Sequence, residues 1–216
     1  MSLGALKGTS QTNKTEEIRG KIRKGPPERL FHGLEDLLLA LLAYNAAAMN
    51  QDTKRELYRE MLRELDSVLE GTGDAITAMS TSACVLHQKL PYASWTGFYR
   101  VVAPRLLRVG PYQGPLGCLE IPFERGVCGA AARERATQLV PDVDQFPGHI
   151  ACDSAARSEI VIPLYNPGGQ LVAVLDVDSH QPAAFDEIDR EGLEKVADLL
   201  RPYLRESTRA FPGVEA

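Results

Sequence analysis

The chain has 216 residues, 44% of them hydrophobic and 25% charged, which suits one soluble globular domain with a sizeable core and some extra length at an end. Its net charge of −5 argues against nucleic acid or an acidic membrane as a general partner. The charge is uneven: residues 1–29 carry seven Lys/Arg against three Glu, so the remainder is clearly acidic.

The first thirty residues lack the continuous apolar core of a secretory signal. The longest apolar stretch, 37–49, is interrupted by Asn45 and is too short to span a bilayer. A soluble, cytoplasmic protein is expected. Thiols in that compartment stay reduced, so four cysteines read as catalytic, metal-binding or inert rather than as a disulfide framework.

In chain order, residues 1–28 are polar and end in Gly25-Pro26-Pro27, the pattern of a loose tail. Residues 30–48 read as a helix with Leu34, Leu37, Leu38, Leu41 and Leu42 on one face. A second helix, capped by Asp52 or Thr53, carries Leu57, Met61, Leu62, Leu65, Val68 and Leu69 at three- and four-residue spacing and stops at Gly71-Thr72-Gly73. Asp74 caps a third, which runs to about Leu90 ahead of Pro91. Beyond Pro91 the texture turns to strands, at 94–102, 105–111, 159–165 and 170–178. Asn166-Pro167-Gly168-Gly169 makes a hairpin of the last two. A short helix at 126–134 opens on a glycine turn, and an amphipathic helix over 185–204 turns Ile188, Leu193, Val196, Leu199 and Leu200 inward. The expected fold is α+β, an antiparallel sheet flanked by N- and C-terminal helices. The expected divisions are an extension at 1–50, a catalytic domain at 51–205 and a tail at 206–216.

Cys118, Cys128 and Cys152 stand 10 and 24 residues apart, unlike the paired CxxC of a structural zinc site. Buried cysteines that pack as small hydrophobes are one reading. Gly-rich, polar, loop-like surroundings favour accessible, reactive thiols instead. A zinc set of the three with His149 is a further alternative. Cys84, among apolar neighbours in the third helix, reads as a packing residue.

Asp176 and Asp178 alternate along a strand and therefore share a face. Two adjacent acids repel, which calls for a nearby cation or a shared proton. Glu159 opens the partner strand, and register decides whether it joins them. Solvated edge charges are the plainer reading; an ammonium-binding or proton-donating face is the functional one.

At this point the residues resemble a known family. Ser94-Trp95-Thr96-Gly97-Phe98-Tyr99, Gly110-Pro111-Tyr112-Gln113-Gly114, Ile121-Pro122-Phe123 with Gly126-Val127-Cys128-Gly129, and Val140-Pro141-Asp142-Val143 look like free methionine-(R)-sulfoxide reductase. So do the run Phe146-Pro147-Gly148-His149-Ile150-Ala151-Cys152-Asp153-Ser154, then Arg157-Ser158-Glu159-Ile160 and Val174-Leu175-Asp176-Val177-Asp178-Ser179. The resemblance covers about 52–204 and implies a GAF-like domain. It implies Cys152 as nucleophile, Cys118 as its disulfide partner and Cys128 as an additional or alternative redox cysteine. It places Trp95, Tyr99, Glu159, Asp176 and Asp178 in the substrate pocket. The implied substrate is free methionine-(R)-sulfoxide and the implied reductant thioredoxin, with no cofactor and no metal. Residues 1–50 have no counterpart there and leave oligomeric state open, a homodimer included.

The chemistry agrees. A sulfoxide sulfur is electrophilic and a thiolate is a competent nucleophile. The leaving oxygen needs a proton, which a partly protonated Glu159 or Asp supplies. Trp95 suits the S-methyl group, or else a core position at a strand start. His149, after Pro147-Gly148, reads as a turn residue, and Asp142 as a cap or pocket residue. The rival is a GAF-type sensor that binds a small ligand without catalysis; it makes the cysteines dispensable, and no output segment is visible after residue 204.

Overall fold

The computed structural model describes residues 51–150 and 152–205. The helix expected over 30–48 and both tails lie outside the described residues. Among the described residues no helix is long and apolar enough to cross a membrane.

Helix α1 (Gln51–Leu69) buries Lys54, Tyr58, Met61, Leu65 and Leu69. This stripe is rotated from the expected one. Leu57 and Leu62 are only partly buried, and Val68 is 60% exposed. The expected caps, Asp52 and Thr53, lie inside the helix. Helix α2 (Ala75–Lys89) begins where the sequence places it: the Asp74 side chain accepts from Thr77 N, which satisfies one of the free N–H groups of the first turn.

Six antiparallel strands follow, β1 (Trp95–Ala103), β2 (Leu106–Gln113), β3 (Glu120–Pro122), β4 (Gln138–Val140), β5 (Ser158–Tyr165) and β6 (Leu171–Ser179), in the spatial order β3-β2-β1-β6-β5-β4. The β5–β6 hairpin closes through Asn166, whose Oδ1 accepts from Gln170 N at 3.0 Å. Strands β3 and β4 have three residues each, too few for an alternating pattern to show in the sequence. Helix α3 (Gly126–Glu134) precedes β4, and helix α4 (Glu187–Leu200) follows the sheet behind a capping box of Asp186 and Asp189.

The central strands are buried on both faces. Phe98, Ile160, Ile162, Leu175 and Val177 point to one side, under α1, α2 and α4. Tyr99, Val161 and Val174 point to the other, under α3 and the loops around it. The architecture is α+β, as expected.

One feature of the helical layer is absent from the sequence reading. Asp189 is fully buried, and its carboxylate accepts from Tyr58 Oη at 2.9 Å, from Tyr92 Oη at 2.5 Å and from Lys54 Nζ. Lys54 also reaches Asp186 at 3.0 Å. A polar knot thus joins α1, the segment before β1, and α4. It explains the rotated stripe: Lys54 and Tyr58 turn inward to meet Asp189. Gly192, one turn further along α4, admits the Tyr58 ring; a Cβ there would lie 2.3 Å from it. Removing one partner of a buried charged network leaves the others unsatisfied. Asp189→Ala should cost about 3 kcal/mol or more by urea denaturation, whereas a loss under about 0.5 kcal/mol, the range of ordinary surface changes, would mean that the knot contributes nothing.

Candidate active site

Register places the acids. In the β5–β6 pair Glu159 lies opposite Asp178 and Val161 opposite Asp176. On the other flank Trp95 lies opposite Asp178 and Gly97 opposite Asp176. Directly opposed residues share a face. Glu159, Asp176 and Asp178 therefore converge with Trp95 and Tyr99 on the side away from the helical layer, and all five line one cavity. They are not solvated edge charges: Glu159 and Asp176 are 6% and 5% exposed, and Asp178 is half-buried.

Two glycines make room for the aromatic wall. A Cβ on Gly97 would fall 2.6 Å from the Trp95 ring, and one on Gly117 would fall 2.9 Å from Tyr99 Oη. The Trp95 ring lies between Tyr99 and Tyr112, with centroids at 5.7 and 5.2 Å and interplanar angles of 23° and 16°. Its Nε1 donates to Pro115 O at 3.1 Å, which ties the β2–β3 loop to the pocket. Trp95 is thus both 97% buried and a pocket wall, so the two sequence readings of it coincide.

That loop carries Cys118, and it is disulfide-bonded to Cys152 with Cα atoms 5.2 Å apart. Cys152 lines the cavity. Its loop is anchored by Asp153, whose Oδ1 accepts from Ala155 N at 2.9 Å and whose Oδ2 lies 2.8 Å from His180 Nε2. Arg157 donates to Ser154 O and Ala156 O. The alternative set of three thiolates with His149 is not assembled here, because two of those sulfurs bond to each other.

Cys128 departs from the expectation of an accessible loop thiol. It sits in the first turn of α3, 2% exposed, because residues 126–132 are small and bury that helix against the sheet. Its Sγ points at Glu159 Oε1, 4.0 Å away. Cys84 departs the other way: it is only half-buried on α2, and its Sγ accepts from Gln88 Nε2 at 3.3 Å. His149 follows a turn, its N donating to Phe146 O, and it also lines the cavity. Asp142 is a cap, accepting from Asp144 N ahead of a short 3-10 turn. Sequence reasoning missed Tyr112 and the Asp153–His180 contact. Tyr112 stood in a quoted motif, but nothing local linked His180 to a residue 27 positions earlier.

Among the described residues, no ion pair involves Glu159, Asp176 or Asp178. Their carboxyl groups respond by holding protons. Burial raises Asp176 to about 7, with hydrogen bonds from Cys128 and Glu159 keeping it from rising further. Burial, then the charges of Asp176 and Asp178, pushes Glu159 well above the carboxylate range. Asp178 is raised by burial and by Asp176. The Cys128 thiol is pushed up by burial and by the same acids, so it remains protonated. The site can deliver a proton, attract a cationic group and, through Cys118 and Cys152, store two electrons. Cys128, Glu159 and Asp176 offer donor atoms within 4.8 Å of one another, the spacing of a potential metal site.

The raised Asp176 couples the site to stability. Folded, it keeps its proton to about pH 7; unfolded, it loses it near 3.8. Its favourable contribution is complete below 3.8 and is lost as pH climbs to about 7. Asp176→Asn cannot ionise, so its stability relative to the unaltered chain should rise by on the order of 4 kcal/mol between about pH 4 and pH 8. Urea titrations at both pH values measure this, and a pH-independent difference would contradict the raised carboxyl.

Residues 52–204 match the family model described as GAF domain. The crystal structure of free methionine-R-sulfoxide reductase from Neisseria meningitidis in complex with its substrate superimposes with a TM-score of 0.68 at 43% identity, over 72% of this chain and 92% of that one. The free methionine-R-sulfoxide reductase of Saccharomyces cerevisiae is 38% identical over 153 residues, 68% of this chain and 85% of that protein. The Escherichia coli protein of the same name is 36% identical over 151 residues, 70% of this chain and 90% of that protein. Match, fold and site lead to one assignment: the chain belongs to the GAF-domain family of free methionine-R-sulfoxide reductases.

Proposed function

We propose that the chain reduces free methionine-(R)-sulfoxide to methionine, with Cys152 as nucleophile. One observation carries this reading: the Cys118–Cys152 disulfide closes over a pocket floored by proton-holding carboxyls. The Cys152 thiolate attacks the sulfoxide sulfur, and the S–O oxygen takes a proton from the Glu159–Asp176 pair. Oxygen is retained on Cys152 as a sulfenic acid, and methionine leaves. The Cys118 thiol then displaces that oxygen as water, forming the disulfide. Two thiols are oxidised for each sulfoxide reduced, so the sum balances. An external dithiol, thioredoxin in this reading, reopens the disulfide by exchange in the reducing cytoplasm.

The remaining charge of the cluster holds the substrate ammonium group, and Trp95 and Tyr99 form an apolar wall beside the S-methyl. An ammonium group is present on the free amino acid and missing from a peptide-linked residue, which accounts for the preference for free substrate. Cys128 is part of the pocket wall in this scheme: its thiol is protonated and faces the acids, so its nucleophilicity is low.

The test uses free methionine sulfoxide with dithiothreitol. Cys152→Ser should be inactive with dithiothreitol, whereas Cys118→Ser, reduced beforehand and assayed after dithiothreitol is removed, should release about one methionine per chain and keep a sulfenic acid that a thiol-free probe traps, where the unaltered chain ends as the disulfide. Multiple turnover by Cys152→Ser would refute the nucleophile; binding without turnover in the unaltered chain would favour a ligand sensor. N-acetylation of the substrate should lower kcat/KM by about 30-fold or more, the equivalent of roughly 2 kcal/mol. Equal rates for the two substrates would remove the ammonium site from this account.

A further inference from the structure

The floor of the pocket is a buried set of metal-ligand atoms. Cys128 Sγ and one oxygen each from Glu159 and Asp176 lie within 4.8 Å of one another, and all three side chains are buried. Asp176 Oδ1 is fully enclosed and has no hydrogen-bond partner among the described residues. A buried carboxyl oxygen without a partner is costly, and a bound cation that displaces the carboxyl proton satisfies it. With the Cys118–Cys152 disulfide formed, the three donors line the cavity that Cys152 also borders, which has room for a monatomic ion with water.

The donor chemistry narrows the ion. Mg²⁺ and Ca²⁺ require six or more oxygens and gain little from sulfur. One thiolate with two carboxylates, and a fourth position left to water, suits Zn²⁺. Zinc–ligand bonds of about 2.0–2.3 Å put tetrahedral donors roughly 3.5 Å apart, so the side chains must draw in by about 1 Å.

We propose that the disulfide form of this protein binds one exchangeable zinc ion through Cys128, Glu159 and Asp176. The Cys128 proton and any carboxyl proton leave to solvent as the metal enters, so binding releases protons and strengthens as pH rises. The ion occupies the position assigned above to the substrate ammonium group, which makes it a blocker of the pocket and not a participant in sulfoxide reduction. The donor set itself does not depend on the reductase reading.

The experiment uses the full chain with the disulfide intact and Cys84→Ser in the background, which leaves Cys128 as the free thiol. Zinc chloride is titrated by calorimetry and cobalt(II) by its thiolate charge-transfer absorption, with no substrate present. One ion per chain is expected. Cys128→Ser should abolish the charge-transfer band and weaken zinc by about 100-fold, and Asp176→Asn should weaken it by about tenfold or more. Circular dichroism checks that each variant folds; if Cys128→Ser does not, the cobalt spectrum of the parent and the Asp176→Asn titration decide. No binding up to millimolar zinc, a cobalt complex without thiolate absorption, or unchanged affinity in Asp176→Asn would each overturn the proposal. Because no sulfoxide is used, failure here is separate from failure of the reductase assay.

Discussion

Three carboxylates and a thiol share one buried face of the sheet, and among the described residues no cationic side chain pairs with them. Burial makes their ionised forms expensive, and each charge that does form raises the cost of the next. The group therefore keeps protons at neutral pH. That same unsatisfied field favours a cation in the pocket. Proton donor and cation receptor are two aspects of one electrostatic condition.

The rest of the structure keeps that condition in place. The opposite face of the sheet is anchored to α1 and α4 by their own apolar stripes and by the Asp189 knot, a second buried carboxylate treated in the opposite manner. Asp189 receives a lysine and two tyrosines, whereas among the described residues no lysine, arginine or tyrosine bonds to Glu159, Asp176 or Asp178. One acid is satisfied within the fold and holds helices together; the others leave their demand open, which suits a site for a ligand. Trp95, flat between two tyrosines, excludes water from one side, and its bond to Pro115 fixes the loop that presents Cys118.

The disulfide adds a conformational element. While Cys118 and Cys152 are joined, their two loops meet beside the acids. The Asp153 and Arg157 bonds anchor the loop that presents Cys152.

Several features were legible in the residues alone. The Asp74 cap, the Asn166–Gly169 hairpin, the 126–134 helix and the shared face of Asp176 and Asp178 all follow from local stereochemistry, where side-chain period and capping geometry act over a few residues. The family resemblance added the cysteine pairing that spacing could not supply. Other features depended on tertiary structure. Glu159 joined the acids only because β5 meets β6 in one register, and a slip by one residue would have turned it away. Cys128 was buried because a short helix of small residues lies on the sheet, although its glycine neighbours had suggested an open loop. Lys54 and Tyr58 faced inward because Asp189, more than 130 positions away, awaited them. Periodicity reports which residues avoid water on average; which polar groups meet inside the protein is decided by distances that no local window contains.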